Sequence, residues 1–243
     1  MPDLHHGTLS VDPREDTMPT WAPRVYERFV GELDSGQALF PCTFAVSALQ
    51  RQGLRFVFAE HPDDEESRER IHDALARYIE CYRTIGRITS LVVFFRPTQA
   101  TMHDYERSFW SLLQYLIDSD EHPWPETIPH DPDDPYWEFC FNREPIFVVC
   151  STPAHSARKS RCSEGMTITF QPRWVFDGLA GDTPRGRAAR LVIRKRLAAY
   201  DDIDASPLLG DYGNPMSREW SQYFLNDTND PVRHACPLEP ARS

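Results

Sequence analysis

The chain has 243 residues, a formal net charge of -11, 40% hydrophobic residues and 12% aromatic residues. This size can bury a sizeable core in one large domain. The acidic balance argues against a general nucleic-acid-binding protein, which needs a basic face to neutralise phosphates. No apolar run approaches the roughly 20 residues that cross a bilayer, and the N-terminus lacks a signal-peptide pattern, so we expect no membrane association and a cytoplasmic location.

The polar and proline-containing ends of the chain differ in composition from its centre. This pattern predicts a loosely ordered segment at residues 1–20, a single domain over residues 21–229 and a tail at residues 230–243. The six cysteines are scattered without a CxxC pair. Neither a zinc ribbon nor a disulfide framework is therefore predicted.

Apolar spacing predicts six elements in the first half of the domain. They are a helix over residues 21–33, strands over 40–48 and 54–59, a helix over 63–85, a strand over 91–95, and a helix that follows a capping box at Thr101 and Asp104.

The second half begins with a loop, because residues 122–135 are rich in proline and aspartate. The remaining predicted elements are a hairpin with its turn near Asn142 and Arg143, a strand over residues 146–150 that is buried on both faces, a strand over 166–170 whose alternation suggests a wet or ligand-facing side, a basic helix from Thr183 to about Tyr200, and a helical patch over 218–225. Together these elements predict an α+β fold with a mixed or antiparallel central sheet and helices packed on it.

A cationic loop follows the apolar strand and contains His155, Arg158, Lys159 and Arg161. Histidine is a neutral iron ligand, and arginine binds the carboxylates of a porphyrin with two parallel hydrogen bonds. The loop is thus a candidate anion or haem site. The alternative is a basic surface loop that faces the acidic residues 131–134.

Cys42 lies in the apolar segment FPCTFA at residues 40–45. A thiolate there could be an axial haem ligand, or a nucleophile if a nearby base lowered its pKa. A buried and inert thiol is the simplest alternative.

Carboxylates stand beside aromatic rings at residues 131–138, a composition that can hold a guanidinium or ammonium group or can be a solvated turn. The candidates in this segment are Asp133, Asp134, Trp137 and Glu138. Arg173 and Trp174 follow a predicted strand and could line a flat aromatic cofactor, although such residues are more often part of a core and its rim.

Four segments resemble the YqcI/YcgG family: FPCTFA, DPDDPYWEFCFNREPIFVVCSTPAHSARKSR at 131–161, FQPRWVF at 170–176 and EWSQYFL at 219–225. The resemblance spans residues 40–227. It implies a haem b monooxygenase of natural-product biosynthesis that uses dioxygen and an external electron donor to N-hydroxylate a guanidine or amine group of an arginine-like small molecule.

The resemblance also implies roles for the candidate residues and a haem pocket at the end of the hairpin strand. His155 becomes the axial iron ligand, with Cys42 as the competing ligand. The residues that would contact haem are Arg158, Arg161, Arg173 and Trp174. The residues that would contact the substrate cation are Asp133, Asp134, Trp137 and Glu138.

Three rival functions stay open on the sequence. The first is a non-catalytic haem-binding or sensor protein, and the second is a cofactor-free hydrolase that uses Cys42 and His155. A nucleic-acid adaptor is the third, and the acidic balance disfavours it. A redox partner protein and a homodimer are both compatible with the sequence.

Overall fold

The computed structural model describes residues 18–35, 39–179, 183–230 and 235–239. Within these residues, five α-helices and five strands form the framework. The helices are α1 (Ala22–Leu33), α2 (Thr43–Gln50), α3 (Glu65–Ile85), α4 (Met102–Ser119) and α5 (Pro184–Tyr200), and the strands are β1 (Leu54–Ala59), β2 (Ser90–Phe95), β3 (Cys140–Phe141), β4 (Glu144–Ser151) and β5 (Thr167–Pro172). Short 3-10 helices span Lys159–Arg161, Arg173–Phe176 and Glu219–Gln222.

The described strands form one sheet in the order β1-β2-β5-β4-β3. β1 and β2 are parallel, so the crossover through α3 makes a βαβ unit, and the other neighbours are antiparallel. The predicted α+β fold with a mixed sheet is therefore confirmed.

One face of the sheet packs against α3 and α4. Buried apolar side chains of β2, β4 and β5 point to this face, including Val93, Val148 and Phe170, and they join the larger hydrophobic core of the protein. The capping box predicted for α4 is present, because Thr101 and Asp104 bond reciprocally across the first turn. This face is a filled core.

The opposite face carries a smaller core in which α1 and α2 cover β1 and β2. Phe56 and Phe94 stack with ring centroids 5.9 Å apart, and Phe29 of α1 meets Phe94 edge to face at 5.3 Å. Next to this core, over β2, β4 and β5, the same face borders a cavity.

The hairpin turn is where the sequence predicts it. Asn142 and Arg143 have positive φ angles of 50° and 62°, as a tight two-residue turn between β3 and β4 requires. The predicted helices over 21–33 and 63–85 are confirmed as α1 and α3, and the basic helix is confirmed as α5.

The predicted strand over residues 40–48 is wrong. Pro41 precedes Cys42, which caps α2, and the chain is helical from Thr43 onward. A short apolar run does not distinguish a strand from a helix, because periodicity alone is ambiguous over eight residues.

The prediction that residues 146–150 are buried on both faces is also wrong. Ile146, Val148 and Cys150 are buried in the filled core, whereas Phe147 and Val149 are only partly buried and line the cavity. The run is apolar on both sides because the cavity wall is itself apolar.

Most of the predicted N-terminal segment lies outside the described residues, as do parts of the predicted tail. Within the tail, Leu238 is buried in the main core and the backbone N–H of Glu239 donates to Oε1 of Gln114 at 2.8 Å. Residues 235–239 are thus packed on the domain. None of the helices in the described part of the chain has the length and apolar character needed to cross a membrane.

Candidate functional site

A cavity of about 350 Å³ lies between the sheet and helices α1, α2 and α5. Its volume is in the range typical of small-molecule and cofactor sites, about 300–1,000 Å³. Most of its wall is apolar, and its sheet side is formed by alternate residues of two strands: Phe147, Val149 and Ser151 of β4, and Thr167, Thr169 and Gln171 of β5. The ligand-facing side predicted for the strand over 166–170 therefore faces this cavity.

Cys42 lines the cavity from the N-terminus of α2. Its Sγ accepts a hydrogen bond from the backbone N–H of Ala45 at 3.4 Å. Burial raises the pKa of this thiol, while the amides of Ala45 and Phe44 and the charge of Arg161 act in the opposite direction. The sulfur thus stands at a helix N-terminus, where a thiolate is favoured if its proton is displaced.

Arg161 is a buried cation in the same wall. Its guanidinium donates to the carbonyl oxygens of Cys150 at 3.4 Å and Gln222 at 3.3 Å, and within the described residues no ion pair joins it to a carboxylate. Burial lowers its pKa to about 10, so it remains charged at neutral pH. A buried charge that meets only neutral acceptors is well suited to bind an anion.

Arg158 also lines the cavity and is buried. Its side chain donates to the carbonyl of Asn226 at 2.8 Å and to Oδ1 of Asn229 at 2.8 Å. The side-chain bonds thus go to neutral acceptors, as they do for Arg161. The carboxylate of Asp227 instead accepts the backbone N–H of Arg158 at 2.7 Å, which fixes the loop.

Two carboxylates line the cavity on the side of α1. Arg28 bridges them, with Nε 3.0 Å from Oε1 of Glu32 and Nη1 3.3 Å from Oε2 of Glu164. Arg24 also pairs with Glu164. Burial raises the pKa of Glu32 although Arg28 opposes this shift. The cavity wall therefore has both buried cations and partly buried carboxylates.

His155 is buried but does not line the cavity. Its Nε2 lies 2.7 Å from the carbonyl oxygen of Leu225, so Nε2 carries the proton, and its Nδ1 lies 2.9 Å from Oγ1 of Thr152. Burial lowers its pKa. In this arrangement both ring nitrogens are occupied, and the role of iron ligand stays a prediction for this residue.

Arg173 directly follows the central strand β5 and belongs to a buried ion cluster, which we define as Glu138, Arg173 and Glu219. The guanidinium bonds both carboxylates, with Nε 2.7 Å from Oε2 of Glu138, and its Cζ lies 3.9 Å from the ring centre of Tyr212. Burial raises the pKa of Glu138 to about 7, partly offset by Arg173. The charge of Glu138 is satisfied within the protein, and neither Glu138 nor Arg173 lines the cavity.

The other predicted contacts also lie away from the cavity. Trp174 packs edge to face on Tyr82, and Trp137 is in the filled core against Trp124. Asp133 is exposed, and Oδ1 of Asp134 accepts the backbone N–H of Tyr136 at 2.8 Å within the loop. Their predicted roles in binding haem or substrate stay predictions.

A match to the YqcI/YcgG family covers residues 27–239. The chain belongs to the YqcI/YcgG family. Uncharacterized protein YcgG of Bacillus subtilis (strain 168) is 41% identical over 229 residues, which cover 92% of this chain and 90% of that protein. Uncharacterized protein YqcI of the same organism is 40% identical over the same shares.

A third YqcI/YcgG relative has a name that describes an activity. It is "Putative N(omega)-hydroxy-L-arginine synthase DcsA" of Streptomyces lavendulae, which is 34% identical over 232 residues covering 92% of this chain and 86% of that protein. No solved structure was found to match the chain.

Of the residues predicted for the site, the structure brings Cys42, Arg158 and Arg161 together around one cavity of this YqcI/YcgG protein. The sequence prediction missed Glu32 and Glu164. Glu32 belongs to a helix with several charged residues, and Glu164 follows a short 3-10 helix, so neither stands in a pattern that distinguishes it from a surface carboxylate. Within the described residues, no group of three or more His, Cys, Asp or Glu side chains is arranged to hold a metal ion.

Proposed function

We propose that the protein is a haem-dependent N-hydroxylase that acts on a guanidine or amine group of an arginine-like small molecule. The observation that carries the proposal is the cavity in which the Cys42 thiol and the buried guanidinium of Arg161 both form part of a mainly apolar wall. The name of the relative DcsA supports arginine as the first substrate to test.

The residues of the cavity suit a haem b group. A cysteine thiolate is an established type of haem iron ligand, and a bound metal would favour the deprotonated form of Cys42. Arg161 and Arg158 offer two guanidinium groups to the propionates, and such a carboxylate would give Arg161 the anionic partner that the described residues do not provide. The apolar strand residues Phe147 and Val149 offer a wall for the flat ring.

Bound haem would supply the activation of dioxygen, which is the chemistry that the protein side chains cannot perform. Insertion of one oxygen atom into an N–H bond reduces the other oxygen atom to water and consumes two electrons and two protons, so an external donor is required. The chain contributes by binding and orienting the substrate and by excluding water from the cavity.

Glu32 and Glu164 are the carboxylates of the cavity that can hold a substrate cation. A guanidinium binds a carboxylate through two parallel hydrogen bonds, which would fix the nitrogen that faces the reaction centre. Because burial raises the pKa of Glu32, this carboxylate is also a better proton acceptor than an exposed one. Arg28 now occupies these oxygens and would exchange with the substrate.

Cys42 rather than His155 is the residue that would hold the haem iron. Cys42 lines the cavity, whereas His155 uses one nitrogen for Leu225 and the other for Thr152. Iron binding at Nδ1 of His155 would break its contact with Thr152, while the Nε2–H bond to Leu225 could remain. Cys42 needs only the loss of its proton.

The same contacts disfavour a Cys/His hydrolase. A nucleophilic cysteine needs a lowered pKa and an adjacent base, but burial raises the pKa of Cys42. Among the described residues, no hydrogen bond joins Cys42 to His155, whose ring is bonded elsewhere.

The first test is an absorption spectrum of the purified protein, followed by a reaction with L-arginine. We expect a Soret band after haem reconstitution, and a product one oxygen atom heavier than arginine when dioxygen and a reductant are supplied. Absence of a Soret band at stoichiometric haem overturns the proposal. Haem binding without a product from arginine, agmatine or other guanidines and amines would identify a non-catalytic haem protein.

The second test compares two buried cysteines. Cys42→Ala removes the thiol of the cavity, and the matched variant Cys150→Ala removes a thiol from the filled core. We expect Cys42→Ala to shift the Soret band and abolish hydroxylation, because thiolate and imidazole ligation give differently placed bands. Cys150→Ala should keep both properties. If the spectrum of Cys42→Ala is unchanged, Cys42 is not the iron ligand. His155→Ala is then the next variant to examine.

A further inference from the structure

We propose that the exposed face of α5 is the docking site for an acidic electron-carrier protein. This inference rests on the proposed function, because only an oxygenase that consumes external electrons needs such a partner. The expected partner is a small protein with an acidic face around a one-electron redox group.

The charge of α5 is opposite to that of the chain. Six of the 26 Lys and Arg residues lie in its 17 positions, and the helix contains neither Asp nor Glu, although the chain has a net charge of -11. Among these cations, Arg185, Arg187, Arg194 and Lys195 are exposed. A concentrated positive surface on an acidic protein attracts and orients an acidic partner selectively.

The centre of the exposed face is apolar. Leu191 is 73% exposed and Val192 is 44% exposed. Arg194 and Lys195 follow Leu191 at the spacings of three and four residues that place helix side chains next to each other. An apolar centre with a charged rim is the usual anatomy of a protein interface.

The other side of α5 lines the cavity. Ala189, Ile193 and Leu197 recur at helical spacing along its inner face and form part of the cavity wall. A partner docked on the exposed face is therefore separated from the cavity by a single helix, about 10 Å across. The same helix thus connects the proposed docking surface with the proposed cofactor site.

An acidic protein fits this surface better than a nucleic acid does. Outside α5 the chain has 37 Asp and Glu residues against 20 Lys and Arg residues, so an extended polyanion would also meet a mainly acidic surface. A compact partner can contact α5 alone. A second copy of this chain would have to present an acidic face to α5, and self-association is tested separately below.

The experiment measures binding and electron delivery with two probes, an acidic plant-type ferredoxin and an acidic flavodoxin. The test variants are Arg185→Glu/Lys195→Glu and Leu191→Ser. We expect at least one probe to bind the haem-loaded and the haem-free protein, and the affinity to fall with added salt and by about tenfold or more in the double variant. Haem reduction by dithionite should be equal in all variants.

The matched controls change surface residues elsewhere. Arg51→Glu/Arg107→Glu alters the net charge by the same amount, and Met216→Ser removes an apolar side chain that is 93% exposed. Both controls should bind the probes as the unmodified protein does. Equal weakening by the control double variant would mean that only net charge matters, and it would overturn the docking site.

Further outcomes also contradict the inference. One is that neither probe binds while the enzyme hydroxylates arginine with dithionite, and this result leaves the proposed function intact. Another is that short duplex DNA binds α5 more tightly than both probes. If the protein sediments as a dimer and Leu191→Ser dissociates it, the exposed face of α5 is a self-association surface. Failure to bind haem, in contrast, would contradict the proposed function, and the absorption spectrum detects it independently of probe binding.

Discussion

The protein buries two arginines in different ways. In the ion cluster, Arg173 bonds the carboxylates of Glu138 and Glu219, and their charges raise its pKa although burial acts to lower it. In the cavity wall, Arg161 meets only carbonyl oxygens, and burial lowers its pKa. The first charge is neutralised by the fold. The second forms no ion pair within the described residues, and the charge of Asp201 offsets only part of its desolvation.

The two surroundings differ in packing as well as in charge. Residues of the filled core such as Val148 have no exposed surface, while Val149, the next residue along β4, faces a cavity. A filled core stabilises the folded protein more than an empty apolar cavity does, because the residues that line an empty cavity lack contacts between atoms. A cavity whose wall also contains a buried cation without an ion pair in the described residues is suited to an anionic ligand, as the proposed function requires.

The largest expected effect is that of Arg173→Leu on the free energy of unfolding. The variant leaves two buried carboxylates close together without a counter-charge, which typically costs about 3–5 kcal/mol. Urea denaturation at pH 8 measures this loss. The loss should shrink as the pH is lowered toward 5, since protonation of Glu138, whose pKa burial already raises to about 7, removes the repulsion.

A triple variant is the control for this prediction. Arg173→Leu combined with Glu138→Gln and Glu219→Gln has no buried charge in the cluster, so it should recover part of the stability lost by Arg173→Leu. If Arg173→Leu and the triple variant are equally unstable at every pH, packing rather than charge dominates in the ion cluster.

A pair of variants on one strand separates the filled core from the cavity wall. Val148→Ala should lower the free energy of unfolding by about 2 kcal/mol, because two buried methyl groups are lost from a packed core. Val149→Ala should lower it by less than about 1 kcal/mol, because those methyl groups already face open space. Urea denaturation of the ligand-free protein measures both. Equal losses would mean that the cavity closes in solution.

Local patterns in the sequence predicted most of the fold. The capping box at Thr101, the hairpin turn at Asn142 and the alternation in β5 are each determined by neighbouring residues, and the structure has all three. The strand predicted over residues 40–48 is wrong, because the apolar residues of this segment are too few to define a period, and the chain is helical from Thr43 onward.

The site was harder to predict because its contacts join distant parts of the chain. His155 is a residue type that commonly binds iron, but its Nε2 donates to the carbonyl oxygen of Leu225, 70 positions away. Glu138 resembles a residue that binds a substrate cation, yet Arg173, 35 positions away, neutralises it. Sequence patterns identify chemical groups, whereas the folded chain determines which of them are already satisfied.

The smallest expected effect on stability is that of Arg161→Leu. Removing a buried charge that lacks a carboxylate partner relieves its desolvation cost, while two long hydrogen bonds to Cys150 and Gln222 are lost. We expect the free energy of unfolding of the ligand-free protein to change by less than about 1 kcal/mol in either direction. If the proposed function is correct, haem titration should nevertheless show at least tenfold weaker binding, because a propionate would lose one guanidinium partner. Arg161→Lys keeps the charge, so its affinity for haem should lie between that of the unmodified protein and that of Arg161→Leu. A destabilisation as large as that of Arg173→Leu would mean that Arg161 is neutralised within the fold and is not held for a ligand.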